Sequence, residues 1–82
     1  MVSKVIYSGP FEKALKKMKD ARIKERVKKQ TAEIVERPDI GKPLSHDRKG
    51  ERSVRVPPFR IIYKIDGETL TFLEFEKRDK VY

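Results

Sequence analysis

Apolar positions recur every third or fourth residue through most of the first half of the chain and every second residue through most of the second half. Residues 2–7, VSKVIY, are rich in β-branched side chains and read as a first strand. Ser8, Gly9 and Pro10 break it and suit the start of a helix with proline in its first turn. From there Phe11, Ala14, Leu15 and Met18 fall on one side, while Lys13, Lys16, Lys17 and Lys19 take the other, the pattern of an amphipathic helix on a core. Asp20 caps a second helix with Ile23, Val27, Thr31 and Ile34 turned inward. That helix ends near Arg37, because Pro38 disfavours helical backbone immediately before it. Residues 38–51, PDIGKPLSHDRKGE, carry two prolines and two glycines and are expected to form an irregular connection. Residues 52–56, 59–65 and 69–78 read as strands joined by Pro57-Pro58 and by Asp66-Gly67-Glu68. The expectation is an α+β fold, two N-terminal helices packed on one face of a four-stranded, mainly antiparallel sheet in the order βααβββ, with the other face open. Residues 1–82 make one domain, since so short a chain buries only about 60 to 65% of its unfolded surface and cannot support two cores.

Strand parity then decides which side chains share the open face. Phe59, Ile61, Tyr63 and Ile65 point one way, toward the helices, and Arg60, Ile62 and Lys64 the other. A two-residue turn at Pro57-Pro58 sets Arg55 directly across from Arg60, with Ser53 on the same side. A three-residue connection at 66–68 pairs Ile65 with Thr69, Arg60 with Glu74 and Ile61 with Leu73, and it leaves Arg78 on the open face. A two-residue turn at Asp66-Gly67 would instead send Arg78 into the helix layer, and burying an unpaired arginine is costly. Like charges directly opposite one another destabilise a sheet, so an anion held among Arg55, Arg60 and Arg78 is the simplest functional explanation of their placement. The plainer reading is a solvated, edge-protecting face neutralised by Glu74 and Glu76.

Composition sharpens this picture. Twenty-one Lys and Arg against 13 Asp and Glu give a formal charge of +8, which attracts polyanions and makes nucleic acid the leading partner. The absence of cysteine excludes disulfides and thiolate metal sites, and His46 alone offers no ligand cluster, so neither metal nor cofactor is expected. His46 lies in the irregular connection and is left out of the candidate site. No stretch approaches the ~18 apolar residues of a membrane span, and no secretory leader is visible, so a soluble cytoplasmic protein is expected. A charged fraction of 41% with no asparagine fits adaptation to high temperature.

Four segments, VIYSGPFEKALKKM, ERPDIGKPL, SVRVPPFRIIYKID and FLEFEKRDKVY, resemble in order and spacing the RelE superfamily of toxins, the ribosome-dependent mRNA interferases. The resemblance runs nearly end to end and implies the same helices-on-sheet fold. It implies cleavage of mRNA in the A site of the 70S ribosome by attack of a 2′-hydroxyl on the adjacent phosphate, a RelB-like antitoxin as partner, and no role at a membrane. Arg60 matches the arginine at the scissile phosphate, Arg78 the one near the leaving group, and Tyr82 the tyrosine that orients a base. Arg55 matches a basic residue of the preceding strand, and Lys77 the lysine of the RelE branch. Lys13, Lys16, Lys17, Arg22, Lys24, Arg26, Lys28 and Lys29 on the helices are available to ribosomal RNA or to the antitoxin, and Arg52 and Ser53 are further candidate RNA contacts. Ser53, Glu74 and Glu76 depart from the pattern; either glutamate would act as a general base or would tie up Arg60 and Arg78. The alternatives are a ParE-like toxin that inhibits DNA gyrase and a catalytically weak, basic RNA-binding relative.

Overall fold

The computed structural model describes residues 1–45 and 48–77, and its elements follow one another as β1 (Lys4–Tyr7), α1 (Gly9–Lys17), α2 (Ala21–Glu36), β2 (Lys42–Pro43), β3 (Glu51–Val56), β4 (Phe59–Asp66) and β5 (Thr69–Lys77). Both helices begin where a side chain satisfies their first N–H groups. The Ser8 hydroxyl accepts from the Phe11 N–H at 3.1 Å, and an Asp20 carboxylate oxygen accepts from the Arg22 and Ile23 N–H groups. α2 stops at Glu36, with Arg37 as its last cap before Pro38.

The sheet order is β1-β5-β4-β3-β2, with β1 parallel to β5 and every other pair antiparallel. Phe11, Val27 and Ile34 from the helices meet Val56, Ile61, Tyr63, Leu70, Phe72 and Phe75 from the sheet in one buried cluster. Aromatic rings bind its layers together: Phe11 lies 5.4 Å from Phe72, and Phe59 stacks on Phe75 at 4.8 Å.

Among the described residues five strands, not four, make the sheet. Part of the connection expected to be irregular forms a 3₁₀ turn, Pro38–Ile40, and the short edge strand β2, which pairs with β3 at Arg52 and Ser53. The anchor is Tyr63, whose buried hydroxyl donates to the Pro38 carbonyl at 2.6 Å and accepts from the Gly41 N–H at 2.9 Å. A Cβ on residue 41 would lie 2.5 Å from that hydroxyl, so glycine is what lets the chain approach so closely. Arg52 donates to the carbonyls of Gly41 at 2.7 Å and Asp39 at 3.3 Å, closing the latch from the sheet side.

The second hairpin also departs from expectation. Asp66 pairs with Thr69 around a two-residue turn at Gly67-Glu68, and Gly67 takes φ +64°, the left-handed conformation that lets such a tight turn follow the twist of the strands. One residue of β5, Leu73, is then bulged out between the pairs Tyr63–Phe72 and Ile62–Glu74. The bulge keeps Leu70 and Phe72 on the same face as Phe75, which a regular strand would turn to the opposite side. Its carbonyl is not left unpaired: the Ser8 hydroxyl donates to it at 2.7 Å, while the Ser8 N–H bonds the Phe72 carbonyl at 3.0 Å.

Candidate nucleic-acid interface

The face of the sheet turned away from the helices carries the candidate chemistry. Pro57-Pro58 forms the expected two-residue turn, and Arg55 stands directly opposite Arg60. Ser53 faces Ile62 on one side and Lys42 on the other. The turn that pairs Asp66 with Thr69 shifts the register by one residue and the bulge by one more, so Arg60 lies across from Glu76, not Glu74, and Ile61 across from Phe75, not Leu73. This corrects the register expected from a three-residue connection.

Arg60 and Glu76 are joined closely. Arg60 Nε donates to Glu76 Oε2 at 2.9 Å and Nη2 lies 2.7 Å from the same oxygen as an ion pair, so one edge of the guanidinium fork is occupied by a carboxylate oxygen. A second chain of charge crosses the same face. Arg48 reaches the buried Oε1 of Glu51 with Nε at 2.8 Å and Glu74 Oε2 with Nη2 at 3.3 Å, linking the start of β3 to β5. Between those strands Ile62 has no exposed surface although it lies outside the helix-facing core. The face is therefore not the open basic surface that strand parity implied; it is partly covered and carries alternating cations and carboxylates.

The two β5 carboxyls differ. The Glu74 carboxyl is pushed above the usual range by its hydrogen bond to Glu76 and by burial, against the pull of Arg48. For Glu76 burial acts upward, but hydrogen bonds from Arg60 and Glu74 outweigh it and hold the carboxyl below the usual range. As pH falls, Glu74 therefore takes up its proton before Glu76, which keeps its charge beside Arg60 to lower pH.

The remaining candidates are dispersed. Arg78 and Tyr82 lie outside the described residues. Lys77 stands across from Phe59, in step with Phe75, on the helix side of the sheet rather than beside Arg60. Arg52, offered as an RNA contact, is committed to the carbonyls of Gly41 and Asp39. Lys13, Lys16, Lys17, Arg22, Lys24, Arg26, Lys28 and Lys29 are all exposed along the helices. Arg48 and Glu51 were missed by sequence reasoning; their three-residue spacing was the only local signal, and the reach of Arg48 to Glu74 depends on the sheet. Among the described residues no group of His, Asp and Glu is arranged to hold a metal ion, and no helix is long and apolar enough to cross a membrane.

Residues 5–82 match the family model described as the ParE toxin of the type II toxin–antitoxin system parDE. The chain belongs to that family. The ParE-family assignment agrees with solved structures of similar fold. A YoeB/ParE toxin from Agrobacterium tumefaciens superposes with a TM-score of 0.81 at 20% identity, covering 92% of this chain and 98% of that one. In the RelBE2 toxin–antitoxin complex from Mycobacterium tuberculosis the corresponding figures are 0.79 and 27%, with 95% and 100% covered. In the archaeal RelE–RelB complex from Pyrococcus horikoshii OT3 they are 0.75 and 17%, with 99% and 100% covered. No curated protein sequence matches the chain. This ParE-family chain is a type II toxin of the RelE/ParE/YoeB superfamily.

Proposed function

We propose that the protein is a ribosome-dependent endoribonuclease that cuts mRNA in the A site by attack of a 2′-hydroxyl on the adjacent phosphate. The observation that carries this reading is the placement of Arg60, set by strand register beside Arg55 and aimed by a hydrogen bond and a close ion-pair contact at a single oxygen of Glu76. That oxygen occupies a position where a phosphate oxygen would be gripped in the same way, and the fork is already oriented before substrate arrives. As the 2′-oxygen bonds to phosphorus and the bond to the 5′-oxygen breaks, Arg60 offsets the charge gathering on the phosphorane. Arg78 and Tyr82 would complete the site as the resemblance to RelE toxins implies. The partners are then mRNA on the 70S ribosome and a RelB-like antitoxin, in keeping with the complexes that similar toxins form, and the setting is the cytoplasm.

The name of the matched family favours a second reading, inhibition of DNA gyrase without RNA cleavage. One experiment separates the two. Purified protein is added to translating ribosomes and the new 5′ ends of the message are mapped, with gyrase supercoiling assayed in parallel. A-site cuts that disappear in Arg60→Ala, together with unaffected gyrase, support the nuclease. Inhibited supercoiling with intact message would reverse the assignment, and RNA binding without strand breaks would favour the catalytically weak relative.

A further inference from the structure

A groove runs between α2 and the Pro57-Pro58 turn, lined by Arg26, Lys29, Gln30, Arg55, Val56 and Pro57. A neighbouring depression lined by Arg22, Ile23 and Asp20 shares Arg26 and Pro57 with it, so the two form one track along the helix. Arg22, Arg26 and Lys29 are spaced by four and three residues and make a single stripe of α2, about 10 Å long from end to end. Arg55 approaches from the opposite wall. It can do so because β2 covers β3 only at Arg52 and Ser53, leaving the edge of β3 at Arg55 and Val56 without a neighbouring strand among the described residues.

The charge of this groove differs in kind from that of the sheet face. Arg26, Lys29 and Arg55 form no ion pair among the described residues, and the one hydrogen bond they make is a 3.4 Å contact from Arg26 Nη1 to the Pro57 carbonyl. No carboxylate lines the part of the groove around Arg55. Its floor, Val56 and Pro57, is apolar, with Gln30 as a neutral donor and acceptor. Three cations with no ion-pair partner among the described residues, on two facing walls over an apolar floor, suit a polyanion whose charges are regularly spaced and whose bases and sugars have flat or apolar faces.

We propose that this groove binds the sugar–phosphate backbone of a single RNA strand, and that Arg55 joins it to Arg60 as a backbone-binding residue. An acidic peptide is the competing occupant. RNA is favoured because the track continues, through the cross-strand neighbours Arg55 and Arg60, toward the site where the endoribonuclease reading places the scissile phosphate. The assignment rests on that reading only in taking the polyanion to be RNA.

The test is binding of a short fluorescein-labelled oligouridylate to the intact protein across a KCl series. Wild type is compared with Arg26→Gln/Lys29→Gln in the groove and with Lys4→Gln/Lys49→Gln, two exposed lysines at the other end of the sheet. All three are first checked for an unchanged thermal midpoint. Losing two phosphate contacts should lower the slope of log Kd against log salt by about 1.4 and weaken binding roughly 20-fold at about 0.1 M salt, while the control pair changes the slope by less than half as much. Equal losses in both variants would overturn the groove, since they would show only diffuse charge. So would absence of oligouridylate binding by wild type, or a groove variant that binds RNA normally but loses affinity for polyglutamate. If the groove effect is found and ribosomal cleavage is not, the nuclease reading fails while the groove stands; if cleavage is found and the groove effect is not, the reverse holds.

Discussion

The flank of α2 and the outer face of the sheet are both rich in arginine, yet they hold their charge in opposite ways. On α2, Arg26 and Lys29 project from a helix into a groove and form no ion pair among the described residues. On the outer face of the sheet two guanidinium groups are bonded to carboxylates, Arg60 to Glu76 and Arg48 to Glu51 and Glu74, and among the described residues Arg55 is not. A mobile cation in water attracts phosphates over about a Debye length but specifies little, whereas a paired one attracts weakly at range and is fixed in direction. The difference separates capture from orientation: the helix flank gathers a polyanion and the sheet face presents one fork at a set angle.

The largest test of that division compares equal losses of charge. On programmed ribosomes under single-turnover conditions, Arg60→Ala should slow cleavage by about 100-fold or more, as loss of a group bonded to developing charge does, while Arg26→Ala acts mainly on the concentration of protein needed. Equal rate losses would erase the distinction. Next is Ser8→Ala, which removes a helix cap and orphans the carbonyl of the bulge that aligns Glu76 with Arg60. It should cost about 1 to 2 kcal/mol in urea unfolding and reduce cleavage, yet leave oligouridylate binding in the α2 groove unchanged. Glu76→Gln releases Arg60 from an ionised partner, and oligouridylate should bind about two- to fivefold tighter at low salt, an advantage that fades as salt rises.

The smallest effect belongs to Glu74. Its carboxyl is raised, so the folded state binds that proton more tightly than the unfolded chain does, and this contribution is present at acid pH and lost as pH rises through the raised value. Glu74→Gln should therefore raise the thermal midpoint slightly at pH 7 relative to wild type, with the advantage gone below the ordinary carboxylate range. Glu76, held low, has the opposite sign: its contribution exists at neutral pH and disappears as pH falls through its depressed value. Midpoints measured at neutral and acid pH for both glutamine variants check the two signs together.

Much of the architecture was legible because it is local. The helix starts at Ser8 and Asp20, the stop before Pro38 and the Pro57-Pro58 turn each follow from the backbone preferences of one or two residues. The inward stripes Phe11, Val27 and Ile34 follow from spacing. The facing of Arg55 and Arg60 needed only strand parity across a two-residue turn. Less local features escaped. The succession Phe72-Leu73-Glu74-Phe75 did contain the sign of a bulge, since its apolar parity changes midway, but choosing Leu73 as the extra residue required Ser8 from the other end of the chain to receive its carbonyl. The edge strand β2 was hidden in a proline- and glycine-rich run because it forms through Tyr63 and Arg52, 22 and 11 residues away from Gly41.

By itself, then, the amino-acid order determined the two helices and the strands β1, β3, β4 and β5, their starts to within a residue or two, and the pairing of two arginines across a hairpin, since these depend on torsional preference and on the 3.6- and two-residue periods of helix and strand. Tertiary structure alone decided which carboxylate Arg60 meets, which cations remain uncompensated, and that Arg55 lies between the sheet and the groove on α2. Those outcomes depend on distances between residues far apart in the chain, and Coulomb energy follows the distance in space, not the separation in sequence.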